Sequence, residues 1–247
     1  MKPLVCLIIV GALAATGMGS VAFAGINETF PYPDGPLTTG SGGVWELWCG
    51  ACGDSVVSSG VAIINSTTDV ARLFANELQS VGSVVSYSFD VNVAAANTAN
   101  DYTVFFSPAS SPFDGVPGQN YNDSLGFAFD WGVGPAGLSR VLVWPNAGAT
   151  TLIGTITPGV FHTISGTMTK NAASIAYSVQ IDGGAPFNGS ITHTDARGIN
   201  GFEMYQQAGA GNSGFRVDNI NMTPEPASLM LLALGGLAIR RRRPVRS

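Results

Sequence analysis

Charged side chains are scarce in this sequence: Asp, Glu, Lys and Arg make up 11% of its 247 residues. Cytosolic helical enzymes normally cover their exposed faces with Lys and Glu, so the composition argues against that class. Only two histidines and three cysteines are present, which leaves few ligands for a metal or redox site. The apolar content of 45% is nevertheless too high for a disordered chain. These values predict a folded extracellular domain whose surface carries mainly hydroxyl and amide groups.

Positive charge is rare in the middle of the chain. Residues 25–223 hold five of the 11 Lys and Arg side chains and 15 of the 16 acidic ones, a net charge of −10. Proteins that bind nucleic acid need clustered positive charge to replace the counterions on phosphates. The sequence therefore excludes nucleic acid as an expected partner.

Residues 1–24 have the three parts of a secretion signal peptide. Lys2 supplies the positive charge, and Leu4–Ala15 forms the apolar segment. Ala22 and Ala24 place small residues where signal peptidase requires them, so we predict cleavage before Gly25. A retained membrane anchor is the alternative interpretation. Export would bring the chain into an oxidising compartment.

Residues 224–247 combine three features in a fixed order. A Pro-Glu-Pro motif comes first, at Pro224, Glu225 and Pro226. The apolar run Leu229–Ile239 follows; we expect a short hydrophobic helix there, below the ~20 residues that span a bilayer stably. Arginines resist translocation and hold such a segment on the cytoplasmic side, and four of them come next: Arg240, Arg241, Arg242 and Arg243.

This ordered combination resembles the PEP-CTERM sorting signal. The resemblance implies recognition by an exosortase-type membrane enzyme and cleavage near the Pro-Glu-Pro motif. It also implies delivery to the cell surface, the outer membrane or an extracellular exopolysaccharide matrix, with contact to the membrane only through a transient C-terminal anchor. An ordinary tail anchor is the alternative.

Residues 25–223 repeat short runs rich in Val, Ile, Phe, Tyr and Thr, bounded by Gly, Asn, Pro and Asp. In Val85–Val93 apolar and polar residues alternate strictly, as in an antiparallel sheet with one face on a core. Val70–Leu78 could be a capped helix, but its β-rich surroundings favour a strand. The number and spacing of strands predict an all-β protein, an antiparallel β-sandwich of jelly-roll type. The clearest predicted strands are Val56–Ile64, Ser83–Val93, Asp101–Ser107, Leu125–Trp131, Leu138–Trp144, Phe161–Thr169, Ser174–Ile181, Ile199–Gln206 and Phe215–Met222.

Three segments of this domain carry a second resemblance. Phe30–Leu37, with Trp45 after it, resembles the start of concanavalin A-like (laminin-G/pentraxin-like) domains. Gly82–Asp90 and Phe215–Ile220 are similar to strands of PEP-CTERM proteins built on that jelly roll. Such folds include lectins, glycosidases and purely structural modules, so the fold alone does not decide the function.

Cys49 and Cys52 follow Trp48 in the spacing of thioredoxin-type redox motifs. That chemistry requires the first thiol at a helix N-terminus, which lowers its pKa. Here a β-like run follows instead, so a local disulfide between the two cysteines is the preferred interpretation. A zinc site would need two further ligands, and the histidines lie far away in the sequence.

Catalytic residues are not predicted. His162 and His193 lie in strand-like segments, where we expect solvated side chains, and no Gly-x-Ser-x-Gly nucleophile motif is present. Glycosidases use a pair of carboxyl groups. The acidic candidates for that role stand isolated in the sequence: Asp123, Asp130, Glu203 and Asp218. Asp218 is expected to make structural hydrogen bonds near a strand end.

No metal site or cofactor is predicted, although calcium stays open because oxygen ligands are plentiful. The candidate calcium ligands are Asp34, Asp90, Asn92, Asp101, Asn122 and Asp123. Trp45, Trp131 and Trp144 could stack on sugar rings or belong to the core.

We therefore expect a non-enzymatic surface or matrix protein that acts as a structural, adhesive or carbohydrate-contacting module. Its expected partners are an exosortase-type enzyme and a surface polysaccharide. One alternative is a secreted glycan-active hydrolase, which predicts two acidic side chains converging in a concave groove. The other is a thiol oxidoreductase that uses Cys49 and Cys52.

Overall fold

The computed structural model describes residues 25–48, 53–65, 68–74, 78, 80–93, 102–108, 123–131, 137–145, 150–206 and 215–225. The side chains of Asp130, Trp131 and Trp144 lie outside this description, as do the signal peptide, Cys49, Cys52 and the tail beyond Glu225. The predicted disulfide, the C-terminal helix and the stacking roles of Trp131 and Trp144 therefore stay predictions. No helix among the described residues is long and apolar enough to cross a membrane.

Two antiparallel sheets form almost the whole described structure, with one short helix, α1 (Leu37–Gly40). The first sheet has nine strands: β1 (Ile26–Glu28), β2 (Gly35–Pro36), β4 (Val56–Ser58), β5 (Val61–Ile64), β7 (Val84–Val93), β12 (His162–Lys170), β13 (Ser174–Ile181), β14 (Phe187–Thr192) and β16 (Phe215–Pro224). Eight of them lie in the order β14-β13-β12-β7-β16-β5-β4-β2, and β1 pairs with β16.

The second sheet has seven strands: β3 (Glu46–Leu47), β6 (Thr68–Leu73), β8 (Tyr102–Ser107), β9 (Leu125–Trp131), β10 (Ser139–Pro145), β11 (Thr151–Ile156) and β15 (Gly201–Gln206). Their order is β11-β10-β9-β8-β15-β6-β3. At the centre of each sheet, neighbouring strands are mostly far apart in the sequence. The chain therefore passes repeatedly from one sheet to the other.

Eight of the nine clearest predicted strands each match one observed strand, and Val70–Leu73 is a strand rather than a helix. The predicted strand Val56–Ile64 is instead two strands, β4 and β5, with a turn at Ser59 and Gly60. Five strands were not predicted: β1, β2 and β3 are only two or three residues long, and β11 and β14 each contain a glycine, which is typical of a turn. Gly189 of β14 lies directly opposite Tyr177 of β13. A Cβ at position 189 would stand 2.3 Å from the Tyr177 hydroxyl oxygen, so this glycine makes room for a buried ring.

The core lies between the sheets and is centred on aromatic rings. In β7 the alternation seen in the sequence becomes a burial pattern, with Tyr87 and Phe89 facing inward. Tyr87 and Phe106 are 4.9 Å apart between ring centroids, and Phe89 and Phe127 are 5.7 Å apart. Phe202 of β15 packs edge-on against Phe106 at 5.3 Å. These tilted and edge-to-face contacts join the central strands of the two sheets.

A buried carboxylate organises the N-terminal segment. Glu28 of β1 is 2% exposed and accepts hydrogen bonds from Phe30 N (2.7 Å), the Tyr32 hydroxyl (2.7 Å) and Trp45 Nε1 (3.1 Å). Arg72 of β6 forms an ion pair with it at 2.5 Å. A buried charge requires this degree of pairing, because an unpaired one would be strongly destabilising. Burial, assisted by the hydrogen bond to Glu28, raises the pKa of Tyr32 to about 12.

Replacing Glu28 with Gln is expected to lower the free energy of unfolding by about 2–4 kcal/mol, since it breaks a largely buried ion pair. The pKa of Tyr32 should fall at the same time, because one of the groups that raises it loses its charge. Denaturant unfolding and the absorbance titration of tyrosine measure the two effects.

Asp34→Asn is the matched control, because Asp34 is exposed and accepts one hydrogen bond from Ser59 N. It should cost less than about 1 kcal/mol. Equal stability of the Glu28→Gln variant and the wild type would contradict the organising role of Glu28.

Candidate functional site

The outer face of the first sheet carries an ordered array of small polar side chains. Strand register aligns them in two rows that run across the strands. The first row is Thr223, Ser86, Thr167, Ser178 and Asn188, and the second is Asn27, Asn221, Ser88, Ser165 and Gln180. We call these ten residues the hydroxyl face. Their strand neighbours point toward the core, and the alternation in Val85–Val93 predicts this outward position for Ser86 and Ser88.

The spacing within the hydroxyl face follows from sheet geometry. Adjacent strands lie ~4.8 Å apart, and residues two apart along a strand lie ~6.7 Å apart. All ten side chains are half-buried or exposed. Among the described residues, no hydrogen-bond partner is found for the hydroxyl groups of Ser86, Ser88, Ser165, Thr167 and Ser178. Each hydroxyl can donate one hydrogen bond and accept two, so the face offers a regular set of free donors and acceptors.

Acidic groups border the hydroxyl face at one end. Asp90 accepts hydrogen bonds from Thr163 Oγ1 (2.6 Å) and Asn219 Nδ2 (2.7 Å). Asp218 accepts one from Asn219 N at 2.7 Å, but it lies at a bulge within β16 and not near a strand end as predicted. Burial raises the pKa of Asp218, and the nearby Asp90 and Glu28 charges add to that effect. Asn219 has φ 50°, at the bulge that shifts the β16 register.

The candidate calcium ligands do not form a common site in the described part of the chain. Asp34 accepts a hydrogen bond from Ser59 N, and Asp123 accepts one from Thr194 N. Asp101 and Asn122 lie outside the described residues. No group of three or more His, Cys, Asp or Glu side chains among the residues described could hold a metal ion.

His162 is the first residue of β12, and its side chain contacts Asp182, the residue directly after β13. Its Nδ1 lies 2.7 Å from Asp182 Oδ2, and its Nε2 accepts a hydrogen bond from Thr157 N at 3.0 Å. Burial opposes ionisation of Asp182, but hydrogen bonds from His162 and Thr163 N outweigh it and lower the pKa of Asp182. A cleft of about 410 Å³ lies beside this pair, between β11 and the strands β13 and β14.

His193 is fully buried, so the expectation of a solvated side chain was wrong for it. Its Nδ1 lies 2.8 Å from the Asp123 carbonyl oxygen, and its own carbonyl accepts a hydrogen bond from Lys170 Nζ at 3.1 Å. Burial lowers the pKa of Lys170. These contacts fasten the segment before β9 to the ends of β12 and β14, which is a structural role.

Asp69 and Glu203 meet on the outer face of the second sheet. Tyr205 lies directly opposite Asp69, so Glu203, two residues earlier, shares its face. Both carboxyl groups are buried, at 4% and 0% exposure, and they hydrogen-bond each other. Burial raises the pKa of Asp69 to about 7, and the hydrogen bond with Glu203 limits that rise. Glu203 is isolated in the sequence, and the pairing of β15 with β6 brings it beside Asp69.

This acid pair differs in two ways from a glycosidase pair. Catalytic carboxyl groups of glycosidases are ~5–9.5 Å apart, so that a sugar or a water fits between them. The side chains of Asp69 and Glu203 are in direct hydrogen-bond contact, and both are shielded from solvent. The pair can share a proton, but this geometry leaves no room for a glycosidic bond between the two groups.

Trp45, a candidate for stacking on sugars, belongs to the core. It is fully buried and stacks on Phe30 at 5.6 Å between ring centroids. Its indole N–H is used by Glu28. The sequence pattern Phe30–Leu37 with Trp45 therefore marks a structural cluster.

The sorting motif begins inside the first sheet. Pro224 is the last residue of β16 and is paired with Val85 of β7. Glu225 N donates a hydrogen bond to the Val84 carbonyl oxygen at 2.9 Å. The Pro-Glu-Pro motif is thus continuous with a strand of the folded domain.

Comparison with known proteins identifies the sorting motif. Residues 223–243 match the model of the PEP-CTERM protein-sorting motif. This motif indicates an exported cell-surface protein that is anchored in a membrane. No curated protein sequence matches the chain.

Solved structures of lectin type share the fold. The metal-free Emp46p carbohydrate recognition domain has a TM-score of 0.51 and 10% identity, with 81% of this chain and 95% of that chain covered. Its potassium-bound form has a TM-score of 0.50 and 8% identity over the same shares. An endo-1,3-beta-glucanase from Streptomyces sioyaensis has a TM-score of 0.47 and 13% identity, covering 82% and 88%. The ectodomain has the concanavalin A-like jelly-roll fold that the sequence resemblance predicted, and such low identities show the fold alone.

The acid pair predicts a pH dependence of stability. The pKa of Asp69 is higher in the folded state than the ~3.9 of an unfolded chain, so folding favours its protonated form. The stability it contributes is complete below about pH 4 and is lost as the pH rises through about 7. We expect the free energy of unfolding to fall by roughly 1–3 kcal/mol between pH 5 and pH 8.

Asp69→Asn should remove most of this slope in urea unfolding measured at pH 5 to 8. Asp182→Asn is the control, because the pKa of Asp182 is lowered and its effect lies at more acidic pH. An unchanged slope in the Asp69→Asn variant would count against the acid pair.

Proposed function

We propose that this chain is a non-enzymatic cell-surface protein that contacts carbohydrate through its hydroxyl face. The observation that carries the proposal is the register of the hydroxyl face: each row of polar side chains crosses five strands of the first sheet, and the free hydroxyl groups lie on β7, β12 and β13. The PEP-CTERM motif, which brings the chain to the cell surface, supports it.

The chemistry of the hydroxyl face suits a neutral polysaccharide. Sugar hydroxyls donate and accept hydrogen bonds, as do the serine, threonine, asparagine and glutamine side chains of the two rows. None of these side chains is charged, so the face has no group that would select a phosphate or a carboxylate. Protein interfaces usually centre on aromatic and apolar side chains, which the hydroxyl face lacks. The net charge of −10 on residues 25–223 also disfavours acidic polymers.

The expected binding is weak per contact and cumulative along a polymer. A neutral hydrogen bond contributes only ~0.5–1.5 kcal/mol, because water competes for the same groups. Two rows of side chains with regular spacing can engage successive sugars of one chain, and many copies on one cell surface add avidity. A structural or adhesive role in a matrix follows from this mode of binding.

The hydrolase alternative depends on Asp69 and Glu203. Their proximity on the outer face of the second sheet favours it, whereas their direct hydrogen bond and complete burial favour a non-enzymatic role. Under the hydrolase alternative the wild type would release reducing sugar from a polysaccharide, and Glu203→Gln would abolish that release.

The test is retention of the purified ectodomain on insoluble cellulose, β-1,3-glucan and starch, with alginate as an acidic comparison. We expect retention on at least one neutral polymer and none on alginate. The variant Ser88→Ala, Ser165→Ala, Thr167→Val removes three hydroxyls at the centre of the hydroxyl face. It should lower the affinity about 10-fold, which corresponds to about 1.4 kcal/mol.

Thr151→Val with Thr155→Val is the matched control, since both threonines are exposed on β11 of the other sheet. This control should bind like the wild type, and both variants should keep the wild-type melting temperature within a few degrees. Equal retention of the triple variant and the wild type would refute the assignment of the hydroxyl face.

A further inference from the structure

The end of β16 is held on the side of β7 up to and including Glu225. Thr223 and Pro224 are in register with Ser86 and Val85, and Glu225 N donates to the Val84 carbonyl oxygen. Bonded and non-bonded pairs alternate in an antiparallel ladder. Glu225 is hydrogen-bonded to β7, so the preceding pair, Pro224 and Val85, is a non-hydrogen-bonded one. Proline lacks an N–H group, but at such a position no hydrogen bond to β7 is lost. A proline is therefore accommodated at this point without loss of pairing.

The start of the ectodomain lies against the same strand. Ile26 of β1 is in register with Met222. A Cβ at Gly25 would stand 2.0 Å from the Met222 carbonyl oxygen and 3.5 Å from Pro224 Cδ. The predicted signal-peptidase site and the sorting motif thus adjoin at one corner of the first sheet. Asn221 and Met222 are paired on both sides, with β1 and with β7.

This arrangement constrains any peptidase that removes the tail. A peptidase needs a segment that has left its secondary structure, and a paired central strand is open only rarely. β16 (Phe215–Pro224) is paired with β7 on either side of its bulge, Glu225 N is hydrogen-bonded to the Val84 carbonyl oxygen, and Met222 is buried in the core. Contact with β7 therefore reaches Glu225, the second residue of the motif.

We infer that the folded sheet sets the boundary of tail processing, so that the sorting enzyme cuts the chain on the C-terminal side of Glu225. The step is the hydrolysis of one peptide bond. The carbonyl carbon forms a bond to the oxygen of a water molecule, its bond to nitrogen breaks, and the leaving nitrogen takes a proton. The inference rests on the sorting motif and does not depend on contact with carbohydrate.

Two consequences follow for the processed protein. Its last residues stay in the sheet, so the domain keeps β16 complete after the tail is removed. Thr223 and Asn221 of the hydroxyl face lie within four residues of Glu225, where the boundary of the cut is inferred. The sheet itself places the hydroxyl face next to the site where the tail leaves the domain.

The experiment expresses the full chain in cells that contain an exosortase-type enzyme and recovers the protein from the cell surface. Intact mass and sequencing of the C-terminal peptide locate the cut. We expect a C-terminus at Glu225 or later. A C-terminus at Pro224 or any earlier residue would overturn the inference, because that bond lies within the paired strand.

A linker variant tests whether the sheet is the cause. Six Gly and Ser residues inserted between Thr223 and Pro224 move the intact motif away from β7. Pulse-chase labelling should then show the half-time of tail removal shortened severalfold. The control carries the same insertion between Gly183 and Gly184, in the exposed turn after β13, and should be processed like the wild type.

An unchanged half-time in the linker variant would overturn the inference, as would a tail retained on both the wild type and the linker variant. A tail retained on the wild type but removed from the linker variant would support it, as the extreme case of protection by the sheet. Binding to polysaccharide is measured separately on the purified ectodomain, so failure of either proposal is recognised independently.

Discussion

The buried carboxylate of Glu28 holds together parts of the chain that are far apart in sequence. It accepts hydrogen bonds from the loop after β1 and from Trp45, and it pairs with Arg72 of the second sheet. Because an ionised group in the core is tolerated only when its acceptors are satisfied, this set of contacts fixes β1 in one position. Since β1 pairs with β16, Glu28 also secures the strand that leads into the sorting motif.

The two faces of the first sheet explain the unusual composition. Its inner face carries the aromatic residues that form the core with the second sheet, and its outer face carries serine, threonine and asparagine. A sheet covered in this way needs few charged residues to be hydrated, which accounts for their 11% share. The same small polar residues leave an uncharged surface, where aligned hydroxyls can meet a polyhydroxyl partner.

The jelly-roll fold alone does not choose between a lectin, a hydrolase and a structural module. Specific side chains bear on that choice. Asp69 and Glu203 are close enough to share a proton, and they are buried, whereas the hydroxyl face is open. The position of the motif at the end of β16 constrains how the chain is processed, because the sorting motif begins within a strand of the folded domain.

The sequence by itself determined the C-terminal sorting motif, the all-β class and most strands, and it predicts a signal peptide at the other end. Alternation in Val85–Val93 reports burial directly, since side chains on a strand point to opposite faces in turn. The edge strands β11 and β14 were not predicted, because Gly154 and Gly189 interrupt the alternation of apolar and polar residues. Both glycines are needed for packing, since a Cβ there would collide with Ile181 or Tyr177. Only the tertiary structure decided which residues meet. The rows of the hydroxyl face, the contact between Asp69 and Glu203, and the burial of His193 all depend on the order and register of strands that are distant in sequence. Local patterns carry no information on such pairings, because the energy that selects them is gained only when the two sheets pack around a common core.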